Sequence, residues 1–384
     1  MAIHSVAPPT MADIDIAAFI HNVCAVRARL AAPCELMAVV KADAYGHGAA
    51  TLAASALQAG ATWLAIGRCE EGVQLRLHGI DAPILLLGPI WPDEVDTLLA
   101  YRLTPVIGSL DDARLVQQHA QQHGQQVQVH VNVDTGMGRL GLQPKQIPAL
   151  LAKMETLTHL DWQGLMTHMA TADHLDERIL QEQWQCFCRV VQTLRDRGVA
   201  PCYLHAANSA ALYRFPQTHG QIVRPGLALY GAHPFEAPEA DVLQPVLSWK
   251  ARLARIETVA AGCGISYGHT FVTSRRSRIG TLPVGYADGL CRRLSNVGEV
   301  LVRGRRAPFV GQITMDICMI DVTDIPQAQI GDEVVLIGAQ GEDRITVEAM
   351  ASHCGQIPYE VFCAISSRVP RRYGLNENQV AGHS

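Results

Sequence analysis

A lysine closes an apolar run in LMAVVKADAYGHG, residues 36–48. An amine at a strand end either reaches into water or is held in a pocket for chemistry. A pocket with cationic neighbours and little water strips its proton and makes it a nucleophile or a base. Three further clusters have the same character: His168 in GLMTHMATAD, Asn208 and Ser209 in HAANSAA, and Arg224, Gly226 and Leu227 in VRPGLALYG. Each has an ordinary alternative. A histidine can be a hydrogen-bonded core residue, Asn and Ser can cap a helix, and an arginine can pair with a carboxylate.

The elements around these residues bring them together. Short apolar runs recur at 36–40, 62–66, 83–87, 103–107, 127–133, 161–167, 202–205 and 221–229, with amphipathic segments such as 49–59, 111–123 and 175–197 between them. Continuous rather than alternating apolar runs indicate buried parallel strands. Eight of them predict an N-terminal (β/α)8 TIM-type barrel, a fold of about 250 residues. An open doubly wound sheet is the alternative, but no GxGxxG follows the first strand. After residue 240 the pattern changes. Val- and Ile-rich pieces at 247–259, 277–284, 297–302, 307–310, 315–322 and 333–337, broken by Gly and Pro, predict a β-rich domain ending in helix from Val347. The expected domains are residues 1–240 and 241–384.

The 384 residues carry 48% apolar and 17% charged side chains and a net charge of −5. That supports a large core and argues against a nucleic-acid partner. Eleven scattered cysteines without CxxC pairs predict reduced thiols, no metal site and a cytoplasmic protein. No signal peptide is evident, and no run reaches the roughly 18 apolar residues of a membrane span.

On a barrel, all four clusters fall on the C-terminal rim, where active sites lie. The loops after strands seven and eight suit a phosphate: Ser209 supplies a hydroxyl and Gly226 permits close backbone approach. Lys41 across the rim could hold an aldehyde as a Schiff base. Together these features indicate pyridoxal 5'-phosphate (PLP).

From about residue 12 to 373 the chain resembles the bacterial alanine racemases. The stretches that carry the resemblance are AVVKADAYGHG, NVDTGMGRLG, THMATAD, HAANSAA, RPGLALYG, GISYGHTF, LPVGYADG, GQITMD and IPYEVFCAISSRVPR. The resemblance implies a two-base interconversion of L- and D-alanine. Lys41 carries PLP and is one base; Tyr267 is the other and reaches the site of a second subunit, making a homodimer with shared sites. Arg224 faces the pyridine nitrogen, and His168 stacks near the ring. Tyr45, Tyr359, Asn208, Ser209, Gly226 and Leu227 hold the phosphate. Arg139 and the Met315 N–H take the substrate carboxylate. Tyr286, Arg292 and Asp316 shape the entrance.

One position departs from the family pattern. Many members carry a carbamylated lysine seven residues before the arginine of DTGMGR, where this chain has Asn132. A neutral amide cannot supply the carbamate's charge, so a chloride or a water near Asn132 and Arg139 is expected. A serine-preferring or broad-specificity racemase of the same fold is the alternative function. A barrel decarboxylase and a non-catalytic PLP carrier fit the DTGMGR and GISYGHT motifs less well.

Overall fold

The computed structural model describes residues 8–235 and 243–374. The expected boundary between residues 240 and 241 lies outside the described residues. The chain divides into two compact units. One comprises Phe19–Ala44 and Ala49–Leu243; the other gathers the remaining described residues, including Tyr45–Gly48.

Strand β1 (Thr10–Asp15) precedes the barrel strands β2 (Glu35–Val39), β3 (Trp63–Ile66), β4 (Ile84–Leu86), β5 (Thr104–Ile107), β6 (Val127–Asn132), β7 (Leu160–Met166), β8 (Tyr203–His205) and β9 (Ile222–Val223). These last eight form one parallel sheet in the order β8-β7-β6-β5-β4-β3-β2-β9. Backbone hydrogen bonds from Gln221 N to Leu204 O (2.8 Å) and from Arg224 N to Ala207 O (2.9 Å) bridge β9 to β8 and nearly close the barrel. Strands β3, β4 and β5 are buried along their whole length, as runs covered on both faces must be. Helices such as Cys69–Leu77, Leu110–Gln122 and Arg178–Arg195 connect successive strands. The last apolar run yields only a two-residue strand. Pro225 has no N–H to give to a ladder, and Leu227–Tyr230 turns into a 3-10 helix.

The other unit is strand-rich: β10 (Leu247–Arg252), β11 (Arg255–Val259), β12 (Gly264–Ile265), β13 (Phe271–Val272), β14 (Ser277–Leu282), β15 (Glu299–Val302), β16 (Arg305–Pro308), β17 (Cys318–Asp321), β18 (Glu333–Gln340), β19 (Asp343–Ile345) and β20 (Arg371–Gly374). One sheet runs β16-β15-β18-β10-β1-β20, with β19 on β18. Strand β1 pairs antiparallel with β10 and parallel with β20, so the N-terminal strand belongs to this sheet. Trp249 is fully buried on it, and its indole N–H donates to Thr10 Oγ1 at 2.9 Å. A separate three-stranded sheet, β11-β14-β17, covers a small core of Ile265, Ile279 and Val310. The run 315–322 is strand only from Cys318; Met315 lies in the turn before it.

Candidate active site

Lys41 follows β2 directly, where Val40 N donates to Ala65 O at 2.9 Å and the Tyr230 hydroxyl donates to Val39 O at 2.8 Å. Its stem runs along Gly67, whose added Cβ would stand 3.6 Å from Lys41 Cβ. The next five residues wind left-handed: Ala42, Asp43, Ala44 and Tyr45 have φ of 52–54° and Gly46 has 76°. L-residues take this conformation singly and at a cost, so tertiary contacts must hold the turn. Glu71 accepts from Ala42 N (2.6 Å), Gly67 N (2.7 Å) and Arg68 N (3.1 Å), and Asp43 accepts from Ala49 N at 2.7 Å.

Arg224 is buried at the end of β9. Its guanidinium donates to His205 Nδ1 (2.9 Å), His168 Nδ1 (3.3 Å) and the carbonyls of Thr167 (2.8 Å) and Ala206 (3.4 Å), and to no carboxylate among the described residues. Burial lowers its pKa to about 10. The histidines leave this charge uncompensated. Burial, then Arg224, Arg139 and Lys41, push His168 down to about 3, so it stays neutral. Arg224, Arg139 and Lys41 each lie within electrostatic reach of His168, and a cationic site of this kind receives an anionic molecule and favours a neutral amine.

Asn208 is the helix cap it could have been. Its Oδ1 accepts from Ala211 N at 2.9 Å and starts the helix Ser209–Arg214. The buried Ser209 Oγ accepts from Gly226 N (2.9 Å) and Ala228 N (3.3 Å), which joins the two loops and leads into the turn at Leu227. A hydroxyl and glycine backbone brought together at this rim fit a phosphate. A buried, carboxylate-free arginine nearby fits a heteroaromatic nitrogen acceptor. The residues present therefore fit PLP.

Arg139 is exposed, in a loop set by Asp134, whose Oδ1 accepts from Gly136 N (3.0 Å), Met137 N (2.9 Å) and Gly138 N (3.0 Å). Burial opposes ionisation of Asp134, but these N–H groups hold its carboxyl below the usual range. Asn132 is buried and donates to the carbonyl of Leu140 at 2.9 Å, bracing the residue next to Arg139.

In the strand-rich unit, the Tyr45 and Tyr359 rings meet edge to face with centroids 5.6 Å apart. Burial, with Tyr359 and Cys363, pushes the Tyr45 phenol up, so it stays a donor. Tyr267 is 75% exposed in a tight turn between Ser266 and His269, both at positive φ. Tyr286 and Met315 are also exposed; Thr314 O and Met315 O accept from Tyr286 N and Ala287 N, each at 3.0 Å. Gly285 makes this approach possible, because a Cβ there would stand 2.3 Å from both carbonyl oxygens. Asp316 pairs with Arg368 at 2.7 Å, and the exposed Arg292 opens the turn Arg292–Leu294. Sequence reasoning missed Glu71, His205 and His130. The last two stood in quoted or apolar runs as polar residues on strands, and that was their only signal.

Among the described residues no helix is long and apolar enough to cross a membrane, and no cluster of His, Cys, Asp or Glu could hold a metal ion. The family described as alanine racemase, N-terminal domain, matches residues 14–234, and that described as alanine racemase, C-terminal domain, matches residues 246–373. An alanine racemase of Halothermothrix orenii is 43% identical over 375 residues, 97% of this chain and 98% of that protein. The crystal structure of alanine racemase from E. faecalis superposes with a TM-score of 0.91 at 35% identity, covering 96% of this chain and 99% of that one. That of Bartonella henselae, with covalently bound pyridoxal phosphate, superposes with 0.88 at 29% identity, covering 96% and 100%. With both domains matched and the fold shared along nearly its whole length, this chain belongs to the alanine racemase family.

Proposed function

We propose that this chain interconverts L- and D-alanine with PLP held on Lys41. The observation that carries the reading is Arg224, a buried cation with neutral histidines and, among the described residues, no carboxylate bonded to it, on the same rim as Lys41. When bound, PLP withdraws electrons from the substrate's Cα–H bond. Ser209 Oγ, the N–H groups of Gly226 and Leu227, and Asn208 would hold its phosphate, and the resemblance to the family adds Tyr45 and Tyr359. Arg224 would donate to its ring nitrogen, and because arginine keeps its proton that nitrogen would stay an acceptor. His168, kept neutral, would lie against the ring. Arg139 and the Met315 N–H orient the substrate carboxylate, and a planar guanidinium suits that group. The Lys41 amine and the Tyr267 phenol move protons at opposite faces of Cα. Tyr286, Arg292 and Asp316 line the entrance. Tyr359 and Tyr286 leave little room beyond a methyl side chain, so serine is a weaker substrate; a serine-preferring or broad-specificity racemase is the competing reading.

The exposure of Tyr267, Met315 and Tyr286 supports a homodimer in which Tyr267 serves the partner's site. Exposed thiols at Cys24, Cys188 and Cys202 favour the cytoplasm. A chloride beside Asn132 and Arg139 would replace a carbamate; activity indifferent to exchange of chloride for a larger anion would remove it.

The first test is the purified protein with PLP. A visible band abolished by borohydride, with the label on Lys41 and D-alanine formed from L-alanine, is expected. No band with added PLP would overturn the reading, and faster turnover of serine, lysine or arginine would favour the alternative. Mixing Lys41→Ala with Tyr267→Ala protein tests shared sites. Heterodimers rebuild one intact site only if Tyr267 crosses between subunits.

A further inference from the structure

Branched aliphatic side chains ordinarily fill the interior of a parallel barrel. Here a hydrogen-bonded file descends into it from Arg224. Arg224 Nη1 lies 2.9 Å from His205 Nδ1, and His205 Nε2 lies 2.8 Å from His130 Nδ1. Both histidines are fully buried.

The first link sets every proton in the file. Arginine only donates, so His205 Nδ1 accepts. A neutral imidazole has one N–H, so that of His205 sits on Nε2 and is given to His130 Nδ1. The proton of His130 then sits on its own Nε2. Burial next to a cation keeps both rings neutral: His130 falls to about 3 and His205 well below its ordinary value. A second proton on His130 would set N–H against N–H.

His130 has little packing reason to be a histidine. Its ring lies between Trp63 and Tyr203, at centroid distances of 5.2 and 5.9 Å. Gly164 makes room for it, since a Cβ there would stand 2.4 Å from His130 Nδ1. Its Nε2 finds no hydrogen-bond partner among the described residues. A buried donor left unmet is disfavoured relative to an apolar ring of the same shape. The other nitrogen, which receives the His205 proton, is what distinguishes this residue from a phenylalanine.

We propose that His130 is a positioning residue for racemisation: acting only through His205, it accepts the Nε2–H and so holds that ring with Nδ1 turned to Arg224, which fixes the guanidinium. The proposal rests on the reading that Arg224 faces the ring nitrogen of PLP. His130 touches neither substrate nor cofactor.

The test begins on the wild-type holoenzyme labelled with 15N-histidine. His205 is expected as the neutral Nε2–H tautomer; a cationic ring or the Nδ1–H tautomer overturns the proposal without any variant. His130→Phe keeps ring and volume but removes the acceptor. It is expected to lose the hydrogen-bonded, slowly exchanging His205 Nε2–H signal and to lower kcat about tenfold, with KM within twofold. His130→Asn places an amide oxygen where Nδ1 stood and should restore both. An unchanged kcat and Nε2–H signal in His130→Phe overturns the proposal, as does an equal kcat loss in both variants with that signal intact. Failure of the wild type to bind PLP or racemise would sink the functional reading instead, while the His205 Nε2–H signal still decides the role of His130.

Discussion

Replacing Ala42 by glycine should stabilise this protein, although glycine placed inside a helix ordinarily costs about 1 kcal/mol. The sign reverses because residues 42–45 wind left-handed, with φ of 52–54°. Each L-residue held there costs roughly 1–2 kcal/mol, so the four together store on the order of 4–8 kcal/mol. Ala42 is exposed, and its N–H still reaches Glu71 after the change. No buried contact is lost. Glycine removes one residue's share of the strain and returns about 0.4–1 kcal/mol through its freer unfolded state. The net gain is about 0.5–1 kcal/mol. Urea unfolding of both proteins at one concentration reads it directly, and Ala42→Val should shift the midpoint the other way. A lower midpoint for Ala42→Gly would refute the reasoning. The same variant loosens the segment that follows Lys41, so kcat should fall while stability rises, as expected where strain is held at a functional site.

Acid should destabilise the protein well above the carboxylate range. Below pH 6.5 the unfolded chain protonates histidines that the fold keeps neutral, so His130 and His168 each remove about 1.4 kcal/mol per pH unit as pH falls towards 3, and His205, also held well below its ordinary value, acts in the same direction. Unfolding free energies at pH 6.5, 5.5 and 4.5 should show this slope, shallower by one proton in His130→Phe; an unchanged slope would count against it. Gly164→Ala drives a methyl to within 2.4 Å of His130 Nδ1. It should cost about 1–3 kcal/mol, seen as a lower urea midpoint, and reproduce the kcat loss of His130→Phe. Ser209→Ala removes the acceptor shared by Gly226 N and Ala228 N. It should weaken PLP binding about tenfold or more, measured by equilibrium dialysis.

The barrel was legible because its strands are continuous apolar runs. The run 36–40 is the strand Glu35–Val39, and 62–66 contains Trp63–Ile66. Where chemistry interrupts a run, the reading blurred. Pro225 cuts 221–229 to two residues of strand, and 247–259 splits at Leu253 and Ala254 into β10 and β11. The left-handed turn was invisible. Ala-Asp-Ala-Tyr has no local preference for positive φ, and Glu71, some thirty residues downstream, helps to impose it. Lys41, His168 and Arg224 could be picked out as polar residues at strand ends. The partners that determine their state, His205 above all, meet them only in three dimensions.

The pairing of β1 with β10 and β20 has a consequence for how the protein is made. Residues 10–15 leave the ribosome before the barrel, yet their sheet needs Leu247–Arg252 and then Arg371–Gly374. The barrel strands and helices are all synthesised in between, and can form as a unit while the opening segment waits. That segment, TMADID, is a strand with both edges unpaired until Leu247–Arg252 has been made. A nascent chain stalled before residue 371 would hold a complete barrel and a β1 with one edge open.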